Sequence, residues 1–171
     1  VRSSAASDVY KDRAYKEGWI RAIGVSNFYP DRLVDLCSFV EVKPAINQVE
    51  THIFQQQTAA HEYMEKYGVQ HESWGPFAEE ERISFTNPVL NEIGKKHDKS
   101  AAQVALRFLL QSDVVVIPKS THKERMEENI NVFDFALDAS DMNAIRALDE
   151  KESLFFSHYD PAIAEMMIKL H

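Results

Sequence analysis

Short apolar runs alternate along the chain with segments whose apolar residues recur every three to four positions. Four of these runs have the length of strands: Ile20–Ser26, Pro44–Thr51, Val69–Trp74 and a run that begins at Val114. The intervening stripes have the period of helices, as at Leu33, Leu36, Cys37 and Val40. Strands that alternate with helices at this spacing predict an α/β fold with a parallel sheet and right-handed crossovers.

Local signals indicate where the predicted helices begin and end. Pro30 at a first helical position opens a helix to Val40, and Gly68 ends the next helix as a left-handed cap. Three further helix starts or ranges are predicted: Asn87 with Pro88, Ser100 with Gln103 as a capping box, and Ser140 to Leu148.

The last predicted strand runs through a polar turn into a basic helix start. Thr121 and Glu124 resemble a capping box, and an apolar stripe follows at Met126, Ile130 and Phe133. Lys119, Lys123 and Arg125 lie near this helix start, where the helix dipole disfavours cations. A bound anion would remove that conflict, so the segment predicts a phosphate site, with a solvated basic helix as the alternative.

Polar residues gather at the carboxyl ends of the four predicted strands: Ser26–Asn27, Gln48–Glu50, Trp74 and Lys119–Ser120. Barrel and doubly wound folds keep their binding sites at this rim, so we expect these residues to share one site. The sequence contains no Gly-x-Gly-x-x-Gly and only 5 glycines, which favours a barrel-type site over a Rossmann phosphate loop.

Composition adds limits on location and chemistry. The chain has 171 residues, 44% of them hydrophobic, and a formal net charge of -8, which is typical of a soluble globular domain and argues against nucleic-acid binding. No apolar run is long enough to span a bilayer, and Cys37, the only cysteine, is expected to pack in the core. We therefore expect one domain over residues 1–171 and a cytoplasmic location.

The 7 histidines do not form a recognisable metal motif. His61-Glu62 lacks a second histidine four residues after the first, and the other histidines are scattered, so no metal site is expected. His52, at the end of the second predicted strand, either lines the substrate side of the rim or is a hydrogen-bonded structural residue.

The chain resembles the carboxyl-terminal half of the aldo-keto reductases, which are NADPH-dependent oxidoreductases on a TIM (β/α)8 barrel. Four motifs carry the resemblance between about Tyr15 and Leu148: Gly24-Val25-Ser26-Asn27-Phe28, Asn47-Gln48-Val49-Glu50, Trp74-Gly75-Pro76-Phe77, and Ile117-Pro118-Lys119-Ser120 with Arg125-Met126-Glu127-Glu128-Asn129. The tail Ser153 to Pro161 is most similar to the bacterial diketogluconate-reductase-like branch. The resemblance implies strands five to eight of the barrel with their helices.

The resemblance also implies NADP(H) as cofactor and a role for each motif. Ser26, Asn27 and Gln48 would bind the nicotinamide carboxamide, and Trp74 would stack on the nicotinamide ring. The remaining site residues would bind the adenosine end of the cofactor, with Lys119, Ser120 and Arg125 at the 2′-phosphate and Glu128 and Asn129 at the adenine.

The catalytic residues of this family are not expected in the chain. The resemblance implies reduction of a small aldehyde or ketone with the help of an aspartate, a tyrosine, a lysine and a histidine, all from the first half of the barrel. A lone half would leave sheet edges open, which predicts a truncated protein that self-associates, binds the other half, or is an inactive remnant. The alternative function is a non-catalytic NADP(H)-binding or interaction module.

Overall fold

The computed structural model describes residues 4–78, 87–156 and 160–169. Helices and strands alternate through most of these residues. In chain order they are α1 (Ser4–Lys16), β1 (Gly24–Ser26), α2 (Pro30–Phe39), β2 (Ile46–Glu50), α3 (Thr58–Tyr67), β3 (Gln70–Trp74), α4 (Pro88–His97), α5 (Ala101–Gln111), β4 (Val115–Val116), α6 (Lys123–Ile130), α7 (Ala139–Arg146) and α8 (Pro161–Lys169). In the described residues no helix is long and apolar enough to cross a membrane.

The strands form a sheet in the order β1-β2-β3-β4. β1 and β2 pair in parallel, with Gly24 opposite Ile46 and Ser26 opposite Gln48. A Cβ atom at Gly24 would lie 2.6 Å from Cγ2 of Ile46, so the pairing needs a glycine at this position. Sheet order and parallel pairing confirm the predicted α/β class.

Two strands are shorter than the sequence predicts. The run Ile20–Ser26 contributes only Gly24–Ser26 to the sheet, and Ile20 is exposed. The last strand contains only Val115 and Val116, and Pro118 soon afterwards has no N–H with which to extend a ladder. Apolar runs predict where strands lie, whereas their ends depend on backbone partners that are distant in sequence.

The helix signals upstream of β4 are confirmed. Asn87 accepts hydrogen bonds from the N–H groups of Val89 and Leu90, and Ser100 forms the expected capping box with Gln103. Gly68 has a φ of +69°, the left-handed conformation that ends α3.

The chain divides into two compact units. The first contains the described residues up to Val49 together with Thr58–Glu72, and the second contains Glu50–Gln57 and the described residues from Ser73 onwards. The core of the first unit packs α2 and α3 side chains on β2, and its buried members are Leu33, Cys37, Val49, Ala60, Met64 and Val69. Burial of Cys37 agrees with the packing role predicted for it.

The second unit is organised around α5. This helix buries seven of its residues: Ala101, Gln103, Val104, Ala105, Leu106, Phe108 and Leu109. Side chains from α4 and α7, including Leu90, Ile93 and Ile145, pack in the same cluster. Gly94 in α4 faces Lys99 so closely that a Cβ atom would lie 2.3 Å from the Lys99 carbonyl oxygen.

A histidine pair lies within the first unit. Nδ1 of His61 lies 3.0 Å from Nδ1 of His71, and His71 is 1% exposed. Burial, and secondarily the charge of His61, lowers the pKa of His71 from 6.5 to about 3. His71 is therefore neutral in the folded protein at physiological pH.

This depressed pKa predicts a loss of stability in acid. Between about pH 6.5 and about 3 the unfolded chain binds a proton at His71 and the folded chain does not. The free energy of unfolding should therefore decrease as the pH is lowered through this window, by up to about 1.4 kcal/mol per pH unit from this group. Urea unfolding at a series of pH values should show that the free energy of unfolding depends less steeply on pH in His71→Asn than in wild type. The exposed control His122→Gln should keep the wild-type slope, and equal slopes in all three proteins would contradict the prediction.

Candidate functional site

The carboxyl end of β1 contacts β2 within the first unit. The hydroxyl of Ser26 donates to the carbonyl oxygen of Gln48 at 3.2 Å, and the N–H of Asn27 donates to the same oxygen at 2.9 Å. Asn27 has a φ of 57°, in the left-handed region that asparagine tolerates better than most residues. The structure thus brings together three of the predicted site residues, Ser26, Asn27 and Gln48.

A buried asparagine fixes the turn that follows. The side chain of Asn47, which is 0% exposed, accepts from the N–H of Phe28 at 3.3 Å and donates to the Phe28 carbonyl at 2.6 Å. These two bonds replace the backbone pairing that the chain loses where β1 ends. The sequence motif contains Asn47, but sequence reasoning gave it no role.

The side-chain amide of Gln48 is oriented by a carboxylate. Its Nε2 donates to Oε1 of Glu72 on β3 at 2.6 Å. A carboxylate acceptor makes such a hydrogen bond stronger than one between two amides. Sequence reasoning also missed Glu72, which faces Gln48 across two neighbouring strands.

Trp74 ends β3 in the second unit. Its carbonyl oxygen accepts from the N–H of Thr51 at 3.2 Å, and its half-buried indole contacts Phe155, with ring centroids 5.0 Å apart and planes at 56°. The next residue, Gly75, has a φ of +66°. Trp74 therefore forms a partly exposed aromatic surface at a strand end, and Phe155 is a neighbour that sequence reasoning did not assign.

The end of β2 carries a buried cluster in the second unit. Glu50 and His52 are both 0% exposed, and Oε1 of Glu50 lies 3.1 Å from Nε2 of His52. Nδ1 of His52 accepts from the N–H groups of Phe54 and Gln55. His52 is thus the hydrogen-bonded structural residue of the two alternatives, and Ser73 donates to the Thr51 carbonyl at 2.6 Å beside it.

The predicted phosphate segment also belongs to the second unit, but α6 begins differently from the prediction. His122 is the N-cap residue and makes no side-chain hydrogen bond to the first turn, so the capping box of Thr121 and Glu124 is wrong. The reason is local, because Oγ of Ser120 accepts from the N–H of His122 at 3.1 Å and extends the turn. The first turn of α6 is left without a side-chain cap.

The basic residues of this segment lie at the surface. Lys119 and Arg125 are exposed, and Lys123 pairs with Glu127 at 3.4 Å, one helical turn away. Exposed pairs of this kind contribute little to stability. Cationic side chains therefore lie at the surface near the start of α6.

The apolar stripe predicted for α6 lies at the surface. No residue of the helix is buried, and the apolar stripe at Met126, Ile130 and Phe133 is exposed rather than packed in the core. Glu128 holds the helix instead by accepting a hydrogen bond from the Ser100 hydroxyl, and Asn129 is partly exposed beside it. The carboxylate predicted to meet adenine thus already binds the start of α5.

The histidines and acids of the described ranges form no group of three that could hold a metal ion.

Comparisons with known proteins agree with the motifs. The profile of the Aldo/keto reductase family matches residues 11–150. Glyoxal reductase of Bacillus subtilis (strain 168) is 44% identical over 85% of this chain and 54% of its own length. The chain spans about half the length of the curated relatives it matches.

Solved structures share the fold. An aldo-keto reductase from a Medee basin deep-sea metagenome library has a TM-score of 0.85 and 37% identity, over 91% of this chain and 58% of that one. An aldo-keto reductase of the silkworm Bombyx mori, in a complex with NADPH, has a TM-score of 0.81 and 31% identity, over 85% of this chain and 47% of that one. These matches confirm the predicted barrel family.

The two hydrogen bonds of the buried Asn47 side chain predict how much stability the protein loses without them. Asn47→Ala removes the acceptor and the donor that pair both backbone groups of Phe28, so the free energy of unfolding should fall by about 2–4 kcal/mol. Chemical denaturation checks this value. The exposed Asn143→Ala, which loses only a contact with Arg146, should stay within about 0.5 kcal/mol of wild type. A small effect of Asn47→Ala would mean that the turn does not depend on this side chain.

Proposed function

The chain belongs to the aldo/keto reductase family, and we propose that it forms part of an NADPH-dependent oxidoreductase that reduces small aldehyde or ketone carbonyls by hydride transfer. The names of two relatives support the proposal, since one is a glyoxal reductase and the silkworm enzyme was solved with NADPH. Because the chain spans about half the length of such relatives, the activity is proposed for the complete protein. The cytoplasmic location, the single-domain organisation and the truncation stay predictions.

In this proposal the first unit recognises the carboxamide of the nicotinamide. Ser26 and Gln48 carry a hydroxyl and an amide, and Asn27 adds a second amide directly after β1. Side chains of this kind can donate to the carboxamide oxygen and accept from its nitrogen, which sets the orientation of the ring. The hydrogen bonds to the Gln48 carbonyl and to Glu72 support this role, because they hold the side chains of Ser26 and Gln48 in place before a ligand binds.

The second unit would bind the remainder of the cofactor. Trp74 would stack on the nicotinamide ring, and Lys119, Ser120 and Arg125 would bind the 2′-phosphate. Glu128 and Asn129 would lie at the adenine, with Glu128 also bound to Ser100. The observation that carries the proposal is the first turn of α6, which has no side-chain cap and follows directly on this basic turn. Its N–H groups and the nearby cations suit a phosphate dianion.

NADPH would supply the hydride, and a proton donor is needed for the carbonyl oxygen. Following the family resemblance, we propose that this donor and its aspartate, lysine and histidine partners come from the first half of the barrel. We therefore propose no catalytic residue in this chain and expect it to contribute cofactor binding.

A nucleotide titration tests the proposal. Calorimetry of the purified chain should show saturable binding of NADPH that is tighter than binding of NADH. Lys119→Ala and Arg125→Ala should each weaken NADPH binding about tenfold or more, because each loses a charge-assisted contact with the 2′-phosphate. Lys95→Ala, an exposed lysine on α4, is the matched control and should bind like wild type.

The result also distinguishes among the alternatives. NADPH oxidation with glyoxal by this chain alone would overturn the assignment of the proton donor to another segment. Binding without turnover would support the cofactor-binding role and also fits the non-catalytic module. If neither nucleotide binds, the result would indicate that this chain alone is an inactive reductase fragment.

We further propose that the chain associates with itself through the edge of the sheet that β4 forms. Among the described strands β4 is last in the sheet order, and its Val115 is exposed. Ile117 after the strand, Met126 and Ile130 on α6, and Phe133 after that helix are also exposed. An edge strand and exposed apolar residues favour strand addition by a second copy.

Sedimentation velocity over a concentration series checks this association. Wild type should shift toward a dimer as concentration rises, and Ile130→Glu should remain monomeric because a charge would be buried at the interface. Asn143→Glu introduces the same charge at an exposed position of α7 and should associate like wild type. A monomeric wild type at all concentrations would exclude self-association.

A further inference from the structure

The buried carboxylate of Glu50 binds a segment more than one hundred residues later in the chain. Its Oε2 accepts from the Ser153 hydroxyl at 2.5 Å and its Oε1 accepts from the Leu154 N–H at 2.9 Å. Its remaining partner is His52, whose Nδ1 accepts two backbone hydrogen bonds. Because Nδ1 is an acceptor, Nε2 is the ring nitrogen that donates to Glu50.

The tail therefore supplies part of the stabilisation of this carboxylate, beside His52. Burial raises the pKa of Glu50, but hydrogen bonds from His52, Ser153 and Leu154 outweigh burial and leave the pKa below its usual value. The carboxylate is ionised at neutral pH, and hydrogen bonds to an ionised acceptor are the strong kind. Of its three donors in the described residues, two belong to Ser153 and Leu154.

The same contacts place the next residue against Trp74. Oγ of Ser153 accepts from the N–H groups of Phe155 and Phe156, at 3.2 and 3.1 Å, and turns the chain. The centroid of the Phe155 ring then lies 5.0 Å from that of the Trp74 ring. The Phe155 ring also lies next to Gly75, where an added Cβ atom would be 3.7 Å from the Phe155 ring. A tilted aromatic pair of this kind restricts how the indole can turn.

We propose that Glu50 and Phe155 are positioning residues for Trp74: Glu50 holds Ser153 and Leu154, and Phe155 then fixes the indole so that it can stack on the nicotinamide ring. The inference rests on the proposed function, because it takes Trp74 as the residue that stacks. The name tail latch is used here for Ser153–Phe156. The latch acts only on the nicotinamide end of the cofactor and leaves binding of the 2′-phosphate unchanged.

Two ligands separate these ends of the cofactor. Adenosine 2′,5′-bisphosphate carries the 2′-phosphate and adenine but no nicotinamide, and NADPH carries all of them. In calorimetric titrations Phe155→Leu, Ser153→Ala and Glu50→Gln should each weaken NADPH binding about 3- to 10-fold and leave adenosine 2′,5′-bisphosphate binding unchanged. Phe39→Leu and Glu152→Gln make matching changes at exposed positions and should bind both ligands like wild type.

A second measurement tests the latch without a nucleotide. In a Trp19→Phe background Trp74 is the only tryptophan, so its fluorescence reports directly on the indole. Acrylamide should quench Trp74 more strongly in Phe155→Leu and Ser153→Ala than in the background protein, while far-ultraviolet circular dichroism stays unchanged. Ser153→Ala serves as the milder variant because it leaves the buried carboxylate in place if Glu50→Gln fails to fold.

The outcomes are distinct. Equal weakening of both ligands, or unchanged NADPH binding in Phe155→Leu, would overturn the positioning role. If wild type binds neither ligand, the proposed cofactor site fails and the role of the latch in cofactor binding fails with it. Increased quenching would then still support the effect of Phe155 on the indole, whereas unchanged quenching would overturn that too.

Discussion

Buried polar side chains at the end of β2 must be hydrogen-bonded inside the protein, and much of the second unit is arranged to meet that requirement. Glu50, Thr51 and His52 follow one another at 0% exposure. A carboxylate without water would cost several kcal/mol unless donors replaced the water. The donors come from a neighbouring histidine, a backbone amide and a serine hydroxyl, and no buried side-chain nitrogen or oxygen of the described residues lacks a partner. The buried end of β2 and the tail therefore stabilise each other.

The sequence predicted those features that depend on neighbouring residues. Asn87 and Ser100 cap their helices as expected because each side chain reaches N–H groups only two or three residues away. The same rule failed at Thr121, where Ser120 competes for the turn. Residue types and motif order were enough to identify the family, since the motifs of this family are specific.

Long-range features could not be predicted in the same way. The lengths of β1 and β4 depend on which backbone groups find partners in other strands, and no local pattern records this. The contact between Glu50 and Ser153 joins positions more than one hundred residues apart. A buried acidic residue in a strand does signal that a donor must exist, but it does not say where in the chain that donor lies. Roles for the individual cofactor residues came from the resemblance and stay predictions.

The hydroxyl of Ser100 connects the start of α5 with α6. It accepts from the Gln103 N–H at the start of α5 and donates to Glu128 in α6, while Gln103 donates to the carbonyl of Glu128 at 3.1 Å. Detaching α6 would take these acceptors from the Ser100 hydroxyl and the Gln103 side-chain amide, although the hydrogen bond from the Gln103 N–H to Ser100 would remain. The surface helix is therefore tied to the start of the most buried helix, and its amide protons should exchange with water more slowly than those of a helix held only by its own backbone hydrogen bonds.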